Sequence, residues 1–265
     1  MSVIWITGAS SGIGEALAKY YARQTSHSPY LVLSARREAE LNRVKDECIK
    51  LGLKAEHILV LPLDVLDTES MPSKVDVVLA AFGQIDMLIN NAGISQRSLC
   101  LDTDLDVYKK LLDVDVLGQI ALTKAVLPHM VERKSGHIAV TSSVAGKVGV
   151  KWRTGYCAAK HAVMGFFDAL RAEVTQYGIQ VSTITPGFIK TDVSKNAVSG
   201  NGEAFGQDDD DIKNGMDVDN CASIIARQLA KGKKEIVVGE GLSVLAVTLK
   251  RFFPELVFKM VAKRP

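Results

Sequence analysis

The sequence predicts an α/β fold: a single domain built on a doubly wound parallel sheet of about seven strands, with helices on both faces. Three observations lead there. Short apolar runs alternate with helical stretches of ten or more residues along most of the chain, which is the rhythm of successive βαβ units. The runs are unbroken rather than alternating in polarity, as strands covered on both faces should be. A chain of 265 residues, 47% hydrophobic and 23% charged, can also fill one such core.

The elements follow in order. Val3–Ile6 is a β-branched run that stops at a glycine-rich turn, and Ile13–Arg23 leaves that turn as a helix. Tyr30–Ser34 is the second strand, followed by the charged helix Glu38–Leu51. Ile58–Leu61 and Met87–Asn90 are the third and fourth strands, on either side of a helix over Ser70–Phe82. The spacing predicts one long helix over Leu105–Arg133, with Leu111, Leu112, Leu122 and Val126 suited to a buried stripe. His137–Thr141, the helix Tyr156–Tyr177, Gln180–Ile184, the helix Val218–Lys231 and the strand Glu235–Val238 complete the series. This places one α/β domain at 1–240 and an amphipathic extension at 241–265. No internal repeat of solenoid period is found.

Two stretches break the rhythm. Ser194–Asp219 is rich in Asn, Gly and Asp, including Asp208–Asp211. A loop of that length in a compact domain is expected to be a lid or disordered, and 190–217 is taken as the substrate loop. The tail, Leu242–Arg264, is apolar with basic insertions at Lys250, Arg251, Lys259, Lys263 and Arg264, and Pro254 should split it into two short helices. Contact with the domain or a second subunit is the favoured reading of its apolar side. A basic amphipathic surface resting on a membrane is the other.

Composition excludes several classes. A net charge of +2 and a pI of about 8.3 argue against a dedicated nucleic-acid binder. Val3–Ile6 runs straight into the glycine-rich turn without a basic segment and a long apolar one, so no secretory signal is expected. No stretch has the length of a spanning helix, and the default location is the cytoplasm. Cys48, Cys100, Cys157 and Cys221 form no CxxC pair, so neither a metal site nor a disulfide framework is expected.

Thr7-Gly8-Ala9-Ser10-Ser11-Gly12-Ile13-Gly14 follows the first strand and opens the first helix. Glycines at 8, 12 and 14 let backbone turn sharply and come close to a pyrophosphate. The helix start at Ile13 offers free N–H groups and a positive dipole end. The spacing is GxxxGxG rather than GxGxxG. TGASSGIG resembles the cofactor signature of the short-chain dehydrogenase/reductase family, whose fold is a single Rossmann domain.

The second strand ends in Ser34-Ala35-Arg36-Arg37. Ala35 stands where the family's NAD-type enzymes carry an acid. The guanidinium of Arg36, or of Arg37, can grip a 2′-phosphate in two-pronged fashion where an aspartate would repel it, and Ser10 is placed to help. The expected cofactor is therefore NADP(H). By the same resemblance Asp64-Val65 after the third strand meets the adenine. Asn90-Asn91-Ala92-Gly93 after the fourth matches the family's NNAG, and Pro186, Gly187, Ile189 and Thr191 contact the nicotinamide side.

Tyr156-Cys157-Ala158-Ala159-Lys160 is a YxxxK pattern. On a helix its two ends share a face. A free tyrosine ionises near pH 10, and an adjacent ammonium favours the phenolate, so Tyr156 can act as general acid or base on a carbonyl or alcohol. Ser143 lies 13 residues upstream, the family's spacing for its catalytic serine, and can hold the substrate oxygen as charge develops; Ser142 is its runner-up. One departure stands out. Asp113-Val114-Asp115-Val116-Leu117-Gly118 carries Asp115 where the family usually has asparagine, and a carboxylate there could pair with Lys160.

The stretch Ser142–Ala172 is most similar to the branch containing 11β-hydroxysteroid dehydrogenase-like and DHRS7-like enzymes. That resemblance implies a lipophilic carbonyl or alcohol substrate of steroid, retinoid or lipid type, and a homodimer or homotetramer. Two alternatives remain at this point: an NADP(H)-binding regulator or scaffold, suggested by Asp115 and the acidic loop, and a nucleotide-sugar epimerase or dehydratase, which too little sequence after Val238 disfavours.

Overall fold

The computed structural model describes residues 1–24, 28–207 and 209–263. Asp208 and Arg264, parts of the acidic stretch and the basic tail, lie outside the described residues. Seven strands, β1 (Val3–Thr7), β2 (Tyr30–Ser34), β3 (Ile58–Val60), β4 (Met87–Asn90), β5 (Gly136–Thr141), β6 (Ile179–Pro186) and β7 (Glu235–Val238), make one parallel sheet in the order β3-β2-β1-β4-β5-β6-β7. The order reverses between β1 and β4, where Ile6 pairs with Leu33 on one side and Ile89 on the other. Ligands of such sheets bind beyond the carboxyl ends of the strands at that reversal.

Both faces are covered. α1 (Gly12–Ala22), α2 (Glu38–Lys50) and α8 (Val218–Ala230) bury Leu17, Leu41, Val44, Ile225 and Leu229 on one side. α3 (Met71–Phe82), α5 (Gly118–Arg133) and α6 (Thr154–Val174) bury Val78, Leu122, Val126, Val163 and Phe167 on the other. Trp5 lies fully inside, its indole N–H donating to the Ser34 hydroxyl at 2.8 Å, so this large side chain leaves no polar atom unpaired.

The long helix expected over 105–133 runs that full length but is not uniform. α4 (Leu105–Leu112) passes into a π-helical turn at Asp113–Leu117 before α5. The wider turn brings Asp115 inward, where Ile94 N–H donates to Oδ1 at 2.7 Å. At Gly118 the backbone presses on Val65 so closely that a Cβ would lie 2.6 Å from its carbonyl oxygen. π turns often mark functional places in a helix, and this one adjoins the cleft described below.

The segment expected as a structureless loop is ordered by three tethers. Ile189 bridges Met216, and Val198 bridges both Gln96 and Ala204. A short helix, α7 (Asp210–Lys213), starts at Asp209, whose carboxylate meets Arg153 at 2.7 Å and Arg97 at 2.9 Å. Asp209 is buried, so both contacts act at low dielectric.

The tail forms α9 (Leu242–Phe252) and α10 (Pro254–Ala262), divided at Pro254. α9 touches the domain through Lys250, whose Nζ donates to Lys147 O at 2.7 Å. Val257 is buried, while Leu242, Leu245, Phe252, Phe253, Leu256 and Phe258 are exposed. No described helix is long and apolar enough to cross a membrane.

His137 on β5 is buried against Ser182 at 2.7 Å, and burial pushes its imidazole from 6.5 down to about 4. The folded protein therefore refuses a proton that the unfolded chain accepts. Stability from this group is present above pH 6.5 and is lost as pH falls toward 4, by about 3 kcal/mol. Relative to wild type, His137→Gln should gain about 3 kcal/mol as pH falls from 6.5 toward 4, with a constant gap above pH 6.5; a gap that stays constant throughout would show that His137 does not govern the acid response.

Candidate active site

At the carboxyl edge of the sheet lies a cleft of about 600 Å³. Gly8, Ser10, Ser11, Gly12 and Ile13 line it, with Arg36, Arg37, Asp64, Val65, Asn91, Ala92 and Gly93. Ser143, Tyr156, Lys160, Pro186, Gly187, Ile189 and Thr191 line it as well. Of the site residues expected from sequence, Gly14 and Asp115 stand behind the wall.

The turn after β1 is shaped for close approach. Gly12 sits at φ +57°, a left-handed conformation that costs other residues, and faces Thr191. Gly14 is pressed against the Gly8 carbonyl, and a Cβ there would overlap it. The missing Cβ thus lets helix and turn meet. The cradle keeps room for a pyrophosphate at the first turn of α1, where backbone N–H groups lack helical partners. These features fit a dinucleotide.

At the far end of the turn, Arg37 donates to the Ser10 hydroxyl at 3.4 Å, and Arg36 and Arg37 share that part of the wall. Asp64 folds its own turn, accepting from Leu66 N–H at 3.1 Å. The NNAG turn is held to β1: Asn91 and Ala92 N–H donate to the Thr7 hydroxyl at 2.9 and 3.0 Å. The Asn91 amide reaches Thr7 O at 3.2 Å, and its Oδ1 accepts from Thr141.

The chemistry converges on α6. Tyr156 and Lys160 both face the cleft, with Nζ 5.5 Å from the centre of the tyrosine ring. Nζ donates to Thr141 O at 3.2 Å and lies 3.2 Å from Asp115 Oδ2. Burial works against both charges of the pair: it raises the Asp115 carboxyl against the pull of Lys160 and the Ile94 N–H, and it disfavours the Lys160 ammonium, where the Asp115 carboxylate and Tyr156 together outweigh it and hold that group charged. The two serines divide their tasks. Ser142 donates to Lys160 O at 3.0 Å and so braces the helix, whereas Ser143 accepts from Ala145 N–H at 3.1 Å and keeps its own proton for a ligand.

A family model described as short chain dehydrogenase matches residues 2–202. The chain belongs to the short-chain dehydrogenase/reductase family. It is 46% identical over 254 residues to the human protein named dehydrogenase/reductase SDR family member 7, covering 95% of this chain and 74% of that one, and it falls in that protein's branch of the family. Its fold is shared with a Burkholderia phymatum short chain dehydrogenase/reductase solved in complex with NAD, at TM-score 0.81 and 23% identity over 96% of this chain and 94% of that one. A Thermococcus sibiricus alcohol dehydrogenase complexed with 5-hydroxy-NADP matches at TM-score 0.75 and 25% identity, over 90% and 96%.

Sequence reasoning missed two supports of this dehydrogenase/reductase site. Arg153 lines the cleft one turn before Tyr156 and pairs with Asp209 of the substrate loop; its position three residues from Tyr156 was the available signal. Gln96 gave none. Fully buried, it accepts from Gly155 and Tyr156 N–H at 2.7 and 3.2 Å and so caps α6 from a distant loop, while its amide donates to Ser98 and Thr103. Gln96→Leu removes the acceptor and should lower the stability by about 1–3 kcal/mol. An unchanged melting temperature in Gln96→Leu would discount the cap.

Proposed function

We propose that this family member is an NADP(H)-preferring oxidoreductase that interconverts a lipophilic carbonyl and its alcohol, with Tyr156 as general acid and base. The observation that carries the reading is the convergence within one cleft of two sets of residues: Ser143, Tyr156 and Lys160 at one end, Ser10, Arg36 and Arg37 at the other. When bound, the dinucleotide supplies or receives the hydride. In reduction, the Ser143 and Tyr156 hydroxyls hold the substrate oxygen, and the Tyr156 proton moves to it as negative charge grows there. In oxidation the Tyr156 oxygen takes the proton back. Lys160 orients the ring side of this machinery from one turn along α6.

NADP over NAD follows from charge. No acid stands at position 35, and two guanidiniums flank the place a 2′-phosphate would reach. The neighbours solved with NAD and with 5-hydroxy-NADP support the cofactor class as a whole. The lipophilic substrate is supported by a wall of Ile94, Val114, Val144, Val150, Val198 and Ile212 beside the catalytic end. The same reading takes the protein as a cytoplasmic homodimer or homotetramer whose basic, apolar tail can rest on a membrane. Sedimentation and vesicle flotation test those two points.

Tyr156→Phe should cut NADPH-dependent ketone reduction by at least about a hundredfold while NADPH affinity holds; unchanged turnover would refute the role given to Tyr156. Arg36→Ala and Arg37→Ala, titrated by cofactor fluorescence, should weaken NADPH binding about tenfold or more and leave NADH binding alone. Equal affinities of wild type for the two cofactors would remove the 2′-phosphate argument.

A further inference from the structure

Asp115 is a carboxylate with no exposure at all, set by the π turn directly behind Gly93 and beside Lys160. Oδ1 is bound by the Ile94 N–H. Oδ2 has the Lys160 ammonium at 3.2 Å, off the line of an ideal hydrogen bond. Lys160 is buried too. An ion pair this deep costs several kcal/mol to desolvate, yet the backbone acceptor at Thr141 O would serve the lysine without it.

The charged surroundings are few. From the π turn comes Asp115, and just before α6 Arg153, engaged by Asp209. α4 contributes Lys110 to the cleft wall, and the substrate loop contributes Asp192, 3.6 Å from Lys195. β5 and the turn after it present Ser142 and Ser143, and the turn after β4 presents Asn91, Gly93 and Ile94, all uncharged. Among the described residues, Asp115 is the ion-pair partner of Lys160, and Tyr156 is the other titratable group that acts on it.

We propose that Asp115 is a positioning residue that locks Lys160 into a charge-neutral pair, so that Lys160 supplies geometry while little of its positive charge reaches Tyr156. The proposal rests on the acid/base role given to Tyr156 above. A lone ammonium beside a phenol favours the phenolate; a carboxylate against that ammonium cancels most of the field. Reduction needs the phenol, which gives its proton to the carbonyl oxygen while hydride reaches the carbonyl carbon. Oxidation needs the phenolate. The pair therefore extends the pH range over which Tyr156 keeps its proton, and carbonyl reduction persists further into the alkaline range than it would with a neutral side chain at 115. The equilibrium between ketone and alcohol at a given pH is untouched, so both directions shift together along the pH axis.

The test is the pH dependence of kcat/KM with NADPH and a lipophilic ketone, and with NADP and the matching alcohol, in wild type and Asp115→Asn. Asparagine keeps the acceptor for Ile94 N–H and removes the charge. The fall of reduction at high pH and the onset of oxidation should both move down by about one pH unit, so that reduction on the falling limb drops about tenfold. A merely structural role would change plateau heights and leave the limbs in place. Limbs that coincide in the two proteins overturn the proposal and mean that Asp115 carries no charge beside Lys160. Ultraviolet absorbance titration of the phenolate in the same proteins, each minus its Tyr156→Phe counterpart, needs no substrate. A wild type without turnover would remove the function proposed above and leave this titration to decide the pair: a lower onset in Asp115→Asn supports it, and an equal onset overturns it. Asp115→Ser gives the same readings should the asparagine variant not fold.

Discussion

Two neighbouring backbone N–H groups, those of Asn91 and Ala92, point at the hydroxyl of Thr7, and the layout of the cleft follows from that contact. It joins the carboxyl ends of β1 and β4 where the strand order reverses. One strand leads into the glycine turn and the other into the NNAG turn, so a single side chain fixes the distance between the two walls. The Asn91 side chain carries the link on to Thr141 on β5, and Thr141 O receives Lys160. A continuous line of hydrogen bonds thus runs from the end of β1 through the NNAG turn and the end of β5 to Lys160 on α6. Buried bonds of this kind are costly to break singly, which suits a site whose two halves must hold one extended molecule.

Charge is handled differently inside and outside. On the surface, Arg43 gathers Glu15, Glu40 and Glu47 around itself, half-exposed contacts of the sort that contribute modestly. Beside the cleft, two carboxylates are buried, Asp115 against Lys160 and Asp209 against Arg153 and Arg97. Buried pairs are poor sources of net stability but strong constraints on position. One fixes Lys160, the other fastens Asp209 to the residue that precedes the helix carrying Tyr156.

Much of the architecture was legible because it is written locally. Each strand is an apolar run, most motifs sit at strand ends, and YxxxK lies on the helix that follows β5, so the order of elements places Ser143, Tyr156 and Lys160 in the same cleft as Ser10 and Arg36. What the sequence hid depends on contacts distant along the chain. The interruption at Asp113–Leu117 is invisible to helical periodicity, because it is held by Ile94 N–H and by the closeness of Val65 to Gly118. The segment around Val198 looked like a free loop since its ordering partners are Gln96, Arg97 and Arg153, none near it in sequence. Gly14 reads like its companions in the motif, yet its neighbour is the Gly8 carbonyl rather than the cleft.

The π turn has a consequence for how this chain tolerates changes in length. Such a turn holds one residue more than an α-helical turn, so α4 and α5 are joined through a built-in surplus. Deleting one residue between Asp113 and Leu117 would restore an unbroken helix instead of destroying one. The extra residue is absorbed within that turn, so α4 and α5 would keep their phase, and Val107 and Leu111 their buried face. The cost would fall on position 115, which the wide turn brings inward to the Ile94 N–H and Lys160. In this part of the gene, substitutions and single-codon losses are therefore judged by the same contact, the one between position 115 and the lysine it touches.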